Sequence, residues 1–311
     1  MSRVYEALQR SQGDKSNASP LVPDQAEYSA VGGAAAALAT EPVDATWLNV
    51  PPERVLRPTP TPEQRLVTLT EPEGTGAEMF RVLATRLAHM QNKRRLQKLL
   101  ITSSAVDEGK SVVAANLALT LARRPNERVL LMEADLRRPT VSALFSSTPL
   151  QGVTEWSEGK LPLENALYQL RDSQLWLMAS GHALEDPLPL LESDRFAKML
   201  DTIAQSFDWV LIDATPMFPM ADSISLSRVC DGVLVVVREG FTRRKVLNKA
   251  VESIDRSKLL GVVFNQASML NVDYNHYYGG YGSSGKSKKE EKKEAKKQAK
   301  QARDQVKAAS A

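Results

Sequence analysis

From residue 77 to about residue 270 the chain alternates between two hydrophobic patterns. Six runs are apolar at nearly every position: LQKLLITSS, ERVLLMEAD, QLWLMAS, FDWVLIDAT, DGVLVVVRE and LLGVVFNQA. A strand with one wet face would alternate apolar and polar residues. Near-continuous runs instead fit parallel strands covered by helices on both sides. The stretches between them, such as SVVAANLALTLARR and TRRKVLNKAVESIDRS, suit crossover helices. Ahead of the first run, AEMFRVLATRLAHMQ (77–91) sets Phe80, Leu83 and Leu87 on one side of a helix. This rhythm predicts a single α/β domain over 77–270, with a mostly parallel sheet flanked by helices.

The flanks read differently. Residues 1–12 predict a short helix, with Val4, Tyr5 and Leu8 on one face. Residues 13–76 hold nine of the seventeen prolines and few aromatics. Such a segment buries too little to offset its ordering entropy, and it reads as a disordered, partly extended linker. Residues 271–285 gather four of the seven tyrosines, Tyr274, Tyr277, Tyr278 and Tyr281, among glycines. Residues 286–311 form a basic tail of lysines interspersed with glutamates.

Charge and composition narrow the function classes. The tail carries nine Lys and one Arg against three Glu and one Asp, a net +6. The whole chain is +3, so the remainder is −3 and mildly acidic. A body of that sign argues against a nucleic-acid partner. The single cysteine, Cys230, excludes a disulfide framework and suits a reducing cytoplasm. No leader-like or bilayer-length apolar run is visible, so the expected location is cytoplasmic; the tail reads first as a solvated extension, and its loose attraction to anionic lipid at the inner face of the plasma membrane is the second reading.

The chemistry-bearing residues fall where the apolar runs end. LLITSS leads into AVDEGKSVVAANLA, whose EGKS (108–111) has the form of a phosphate-binding loop opening a helix. Val106, Asp107, Glu108, Gly109, Lys110, Ser111 and Val112 are therefore the expected nucleotide contacts. Gly109 lets backbone N–H groups approach phosphate, and the positive helix end favours the anion. Lys110 would reach the terminal phosphates, and the Ser111 hydroxyl would ligate Mg²⁺. FDWVLIDATP delivers Asp213, expected to hold the metal through water, and ERVLLMEADLRRP delivers Glu133, Asp135 and Arg137. Asn265, ending the last run, is placed near the nucleotide base. Three strands bringing carboxylates or phosphate donors to one sheet edge predict a Mg²⁺–nucleotide site on a P-loop NTPase-like fold.

With the motifs in this order and the tyrosine cluster behind them, the sequence resembles the bacterial tyrosine kinases of capsule and exopolysaccharide machinery. The likeness runs from about Glu71 to Gly282 and includes EGKSVVAANLA, LLMEADLRRP, SGHALEDPLPLLESDRF, FDWVLIDATPMFPMADS and DGVLVVVREGFTR. The resemblance makes the nucleotide site one for Mg²⁺–ATP and implies catalytic roles for Lys110, Glu133, Asp135, Arg137 and Asp213, with Asp135 as base and Ser111, Glu133 and Asp213 around the metal. It makes Tyr274, Tyr277, Tyr278 and Tyr281 phosphoacceptors, offered to a neighbouring copy. It also implies self-association, a cognate tyrosine phosphatase, and a membrane polysaccharide co-polymerase of the chain-length-regulator type as activator.

The sequence departs from that family at several places. Val106 and Asp107 stand where Pro-Gly is usual, and Glu133 replaces an Asp. IDATPM replaces IDTPP, and Ala84 occupies the place of a second arginine in the subunit-contact helix bearing Glu78 and Arg81. Arg86 lies two residues on, about 200° around the helix. Two other readings stay open on these grounds: a nucleotide-binding scaffold of an export complex, and an ATPase of the MinD/ParA kind. The second lacks its usual early loop lysine, since Ala105 occupies that position.

Overall fold

The computed structural model describes residue 48 and residues 50–267. The expected helix over 1–12, the tyrosine cluster and the basic tail lie outside the described residues.

An eight-stranded sheet forms the middle layer. In chain order its strands are β1 (Val55–Leu56), β2 (Lys98–Ser103), β3 (Val129–Glu133), β4 (Leu167–Leu170), β5 (Leu175–Met178), β6 (Trp209–Asp213), β7 (Gly232–Arg238) and β8 (Leu259–Asn265). Their spatial order is β1-β4-β5-β3-β6-β2-β7-β8. All neighbours are parallel except β4 and β5. The six expected strands are β2, β3, β5, β6, β7 and β8. The helices are α1 (Val67–Thr70), α2 (Thr75–Gln91), α3 (Lys110–Leu121), α4 (Ser142–Phe145), α5 (Val153–Ser157), α6 (Leu188–Leu191), α7 (Asp194–Ala204), α8 (Asp222–Val229) and α9 (Arg244–Glu252). Among the described residues no helix is long and apolar enough to cross a membrane.

The strand pattern divides the core in two. Successive strand residues point to opposite faces, so Leu99, Ile101, Leu131, Leu211 and Val236 join one cluster with Leu87 of α2 and Leu117 of α3. Leu100, Leu130, Met132, Val210 and Ile212 join the other with Phe196 and Leu200 of α7 and Leu226 of α8. Both faces are covered, which is why the strands tolerate no polar alternation. Trp176 and Trp209 also lie in these cores.

Residues 50–76 are not the extended linker their composition suggests. Pro52 and Pro62 open short 3₁₀ turns, where the absent N–H costs nothing. Val55 and Leu56 pair with β4, and Leu66 is fully buried. Asn116 of α3 pins this segment: its Oδ1 accepts from Thr68 N and Oγ1, both at 3.1 Å, while Nδ2 donates to Arg65 O at 3.0 Å. Leu66→Ala is therefore expected to destabilise the domain by about 2–5 kcal/mol, read as a lower midpoint in urea. An unchanged midpoint would mean the segment is not part of the folded unit.

On α2, Ala84 is buried against the core, so the place of the missing second arginine faces inward here. Arg81 pairs with Glu78 at 2.6 Å and donates to Pro72 O at 2.8 Å.

Candidate active site

The site is built at the carboxyl ends of β3, β6 and β2, three adjacent strands. Register sets Asp213, the last residue of β6, beside Glu133 of β3 and Ile101 of β2. Beyond β2 the chain turns through residues 104–109 and enters α3 at Lys110.

The loop is held by its own side chains. Glu108 is buried, accepting from Ser104 Oγ at 2.8 Å, from Ala105 N at 2.8 Å and from Thr242 Oγ1. Gly109 has φ +85, a left-handed geometry that glycine adopts freely. A Cβ there would come within 2.2 Å of Asn265 Nδ2, which donates to Glu108 O at 2.9 Å. The Asn265 amide thus braces the loop from β8, while its Oδ1 accepts from Gln266 N. A place near a nucleotide base was expected of Asn265; this brace was not. Val106 and Asp107 are exposed at the loop's tip, and Val112 lies in the first turn of α3. Asp107 takes φ 60, a conformation that short polar side chains tolerate. It therefore serves the turn where the family uses glycine, and being exposed, it does not crowd a bound anion from within.

Lys110, Ser111, Asp135 and Asp213 converge. Lys110 Nζ lies 2.8 Å from Asp135 Oδ2 and 3.3 Å from Asp213 Oδ2. Ser111 Oγ donates to Asp213 Oδ2 at 2.8 Å and accepts from Thr140 Oγ1 at 2.9 Å. Burial pushes the Asp213 carboxyl up to about 6, against the opposing pull of Lys110 and Ser111, with Asp135 and Glu133 adding repulsion. Burial would lower Lys110, but the Asp213 and Asp135 carboxylates override it and hold the ammonium above its ordinary value.

Glu133 differs from expectation. Its Oε1 accepts Val141 N and Ser142 N at the start of α4, and its Oε2 accepts Ser180 N at 3.2 Å. Both oxygens of this fully buried side chain are spent on backbone amides, so it anchors loops rather than facing a metal. Arg137 is likewise committed. Its guanidinium grips Asp222 through Nε at 2.7 Å and Nη2 at 3.2 Å, and also donates to Glu185 O. It ties the β3 loop to α8 and the 185–186 loop. Sequence reasoning missed Thr140 and Thr242, which carry no motif signal and are recruited only by the fold.

The donor set suits a small hard cation. One buried hydroxyl and one buried carboxylate meet at Ser111 and Asp213, and Asp213 Oδ1 is buried without a hydrogen-bond partner. An unpaired buried carboxylate oxygen is costly, and Mg²⁺ binding through few carboxylates plus waters would satisfy it. The α3 N-terminus carries no acidic residue in its first turn, leaving its dipole free for an anion.

Known proteins are similar to this chain in sequence and fold. The family model for the cellulose biosynthesis protein BcsQ matches residues 99–279. The tyrosine-protein kinase YwqD of Bacillus subtilis is 31% identical over 219 residues, 70% of this chain and 92% of that protein. The succinoglycan biosynthesis transport protein ExoP of Rhizobium meliloti is 29% identical over 235 residues, 70% of this chain but 30% of that protein. Among solved structures, the kinase domain of the Escherichia coli tyrosine kinase ETK superposes with a TM-score of 0.61 at 25% identity, covering 64% of this chain and 79% of that one. With identity at this level reaching across nearly the whole of YwqD, and the same fold in a solved kinase domain, the chain belongs to the bacterial tyrosine kinase family.

Proposed function

We propose that the chain is an ATP-dependent protein-tyrosine autokinase that regulates exopolysaccharide or capsule polymerisation and export. The observation that carries this reading is the buried meeting of Lys110, Ser111, Asp135 and Asp213 beside a phosphate loop. When bound, ATP would supply the phosphoryl group and Mg²⁺ would offset its negative charge. Lys110 and the first N–H groups of α3 hold phosphate oxygens, while Ser111 and Asp213 hold the metal. As Lys110 turns to phosphate it releases Asp135, whose carboxylate is then free to take a proton. The tyrosine Oη attacks the γ-phosphorus, its proton passes to Asp135, the Oη–P bond forms, and the bond to the β–γ bridging oxygen breaks to release ADP. A phenol with a pKa near ~10 needs such a base at neutral pH.

The acceptors in this reading are Tyr274, Tyr277, Tyr278 and Tyr281 of a second copy. The names of BcsQ and ExoP tie those relatives to polysaccharide synthesis, which supports the process assigned here. A membrane polysaccharide co-polymerase as activator, self-association and an opposing tyrosine phosphatase complete the proposal, at the inner face of the plasma membrane.

The test incubates the full chain with radiolabelled Mg²⁺–ATP and reads labelled tyrosine and free phosphate separately. Unsubstituted chain should label on tyrosine, and Asp135→Asn should lower that rate by about 10²–10⁴-fold. Free phosphate without labelled protein would mark an ATPase instead. The engagement of Glu133 with backbone favours one rival, a nucleotide-binding scaffold, which would bind ATP and yield neither product.

A further inference from the structure

The loop that leaves β5, residues 179–186, runs along the catalytic edge because β5 lies beside β3. On its inner side it holds the stretch around Asp135. Ser180 N donates to Glu133 Oε2 at 3.2 Å, Leu184 N donates to Leu136 O at 2.8 Å, and Glu185 O accepts from Arg137. On its outer side it is fastened to α5. Ala179 O and Ser180 O accept from Val153 N and Thr154 N at 3.0 and 2.9 Å. Gly181, at φ +81, packs so closely here that a Cβ would come within 2.0 Å of Glu155 Oε2.

The outer fastening ends in His182, whose two ring nitrogens face different carboxylates. Nδ1 lies 3.0 Å from Glu155 Oε1, and Nε2 lies 3.3 Å from Glu158 Oε1. The neighbours decide the proton count. Thr154 Oγ1 donates to Glu155 Oε2 at 3.2 Å, so toward Nδ1, also at 3.2 Å, it can only accept. Nδ1 therefore carries a proton. A neutral ring would then turn a bare lone pair on Nε2 toward Glu158, and only the doubly protonated ring donates to both. Burial works against the Glu155 carboxylate, but Gly152 N and His182 hold it down at about 2, so it stays ionised. The other nearby charges are engaged elsewhere or already counted. Lys160 meets the second oxygen of Glu158 at 2.9 Å, and Arg195 of α7 donates to the Ser157 and Trp156 carbonyls. On the loop itself Asp186 faces Arg137 at 3.6 Å, and Glu185 is exposed.

We propose that His182 is a positioning residue: as an imidazolium it latches the 179–186 loop to α5, and the latched loop holds the Glu133–Arg137 stretch that presents Asp135. Loss of the Nε2 proton opens the Glu158 contact and loosens that stretch. Kinase turnover then falls as pH rises through the range in which histidine titrates. That last step rests on the tyrosine-kinase reading; the latch itself does not.

The experiment reads amide hydrogen exchange by mass spectrometry in the full chain without nucleotide, at pH 6 and pH 8, corrected for intrinsic rates. Partly exposed ion pairs shift a population by about two- to fivefold. Peptides spanning 134–141 and 179–186 should exchange faster by about that factor at pH 8. His182→Gln should exchange at the fast rate at both pH values. Glu158→Gln should stay slow at both, because its amide N–H can donate to a bare Nε2 while Nδ1 still serves Glu155. A merely structural loss would speed exchange in that variant instead. The same three chains are then given saturating Mg²⁺–ATP. The ratio of tyrosine labelling at pH 6 to that at pH 8 should be about two- to fivefold smaller in both variants than in the parent. Equal corrected exchange at the two pH values in the parent overturns the proposal. Glu158→Gln exchanging as fast as His182→Gln at pH 8 overturns it as well, and so does one labelling ratio shared by all three chains. Exchange decides the latch without catalysis, whereas a parent that labels no tyrosine overturns the kinase reading alone, so the two readings fail separately.

Discussion

Lys110→Met is expected to remove tyrosine labelling by at least about 10²–10³-fold and to destabilise the folded domain at the same time. The two losses share one cause. Lys110 is the cation that Asp135 and Asp213 both contact, at 2.8 and 3.3 Å, and both carboxylates are buried. Methionine keeps the length and deletes the charge, leaving two buried carboxylates facing each other. Breaking a buried pair by removing one partner costs about 3–5 kcal/mol. The carboxylates can escape that cost by taking up protons. The variant's thermal midpoint should thus fall most at pH 8 and recover toward the unsubstituted value near pH 5. A midpoint that drops equally at both pH values would mean that packing, and not charge, is what Lys110 contributes.

Asp213→Asn is expected to move stability and activity in opposite directions. Burial raises the Asp213 carboxyl from 3.8 to about 6, so the folded chain binds its proton more tightly than the unfolded chain does. Stability linked to this group is therefore fully present below about pH 4 and falls as pH rises through 6, by on the order of 3 kcal/mol. Asparagine is neutral at every pH and can still accept from Ser111 Oγ. The variant should lose that slope between pH 4 and 6 and be at least as stable as the parent at pH 7. It should nevertheless transfer no phosphate, since a carboxylate is what a cation would require there. Lys110 has the same sign in a higher window: raised by its two carboxylates, it contributes stability in full below pH 10.5 that is lost as pH climbs through its folded value. Thermal melts from pH 4 to pH 8 separate the two groups. A parent chain whose stability rises across pH 4 to 6 would contradict the burial argument for Asp213.

What could be read from the chain follows from which physical signals are local. Six parallel strands were legible because burial on both faces leaves runs such as LLITS and VLLME with no polar alternation. β4 and β1 were not, since LYQL is half-polar and Val55–Leu56 is too short to carry a period. The proline-rich stretch over 50–76 was misread for a related reason. Its prolines start turns, and its order comes from Leu66 and from Asn116, a residue about fifty positions away. Within the site, the meeting of Lys110, Ser111 and Asp213 could be anticipated from the strand ends that carry them, as the strand-to-loop step fixes their neighbourhood. The partners of Glu133 and Arg137 were not. Val141, Ser180 and Asp222 reach them across loops, and no motif records a backbone amide as the intended partner of a carboxylate.

The most direct test of the account follows the phosphoryl group to its end point. The full chain, and a form with Tyr274, Tyr277, Tyr278 and Tyr281 all changed to phenylalanine, are incubated with γ-labelled Mg²⁺–ATP and the modified residues are mapped by mass spectrometry. The account predicts label on the clustered tyrosines of the first and background label on the second. Undiminished labelling of the phenylalanine form would contradict it.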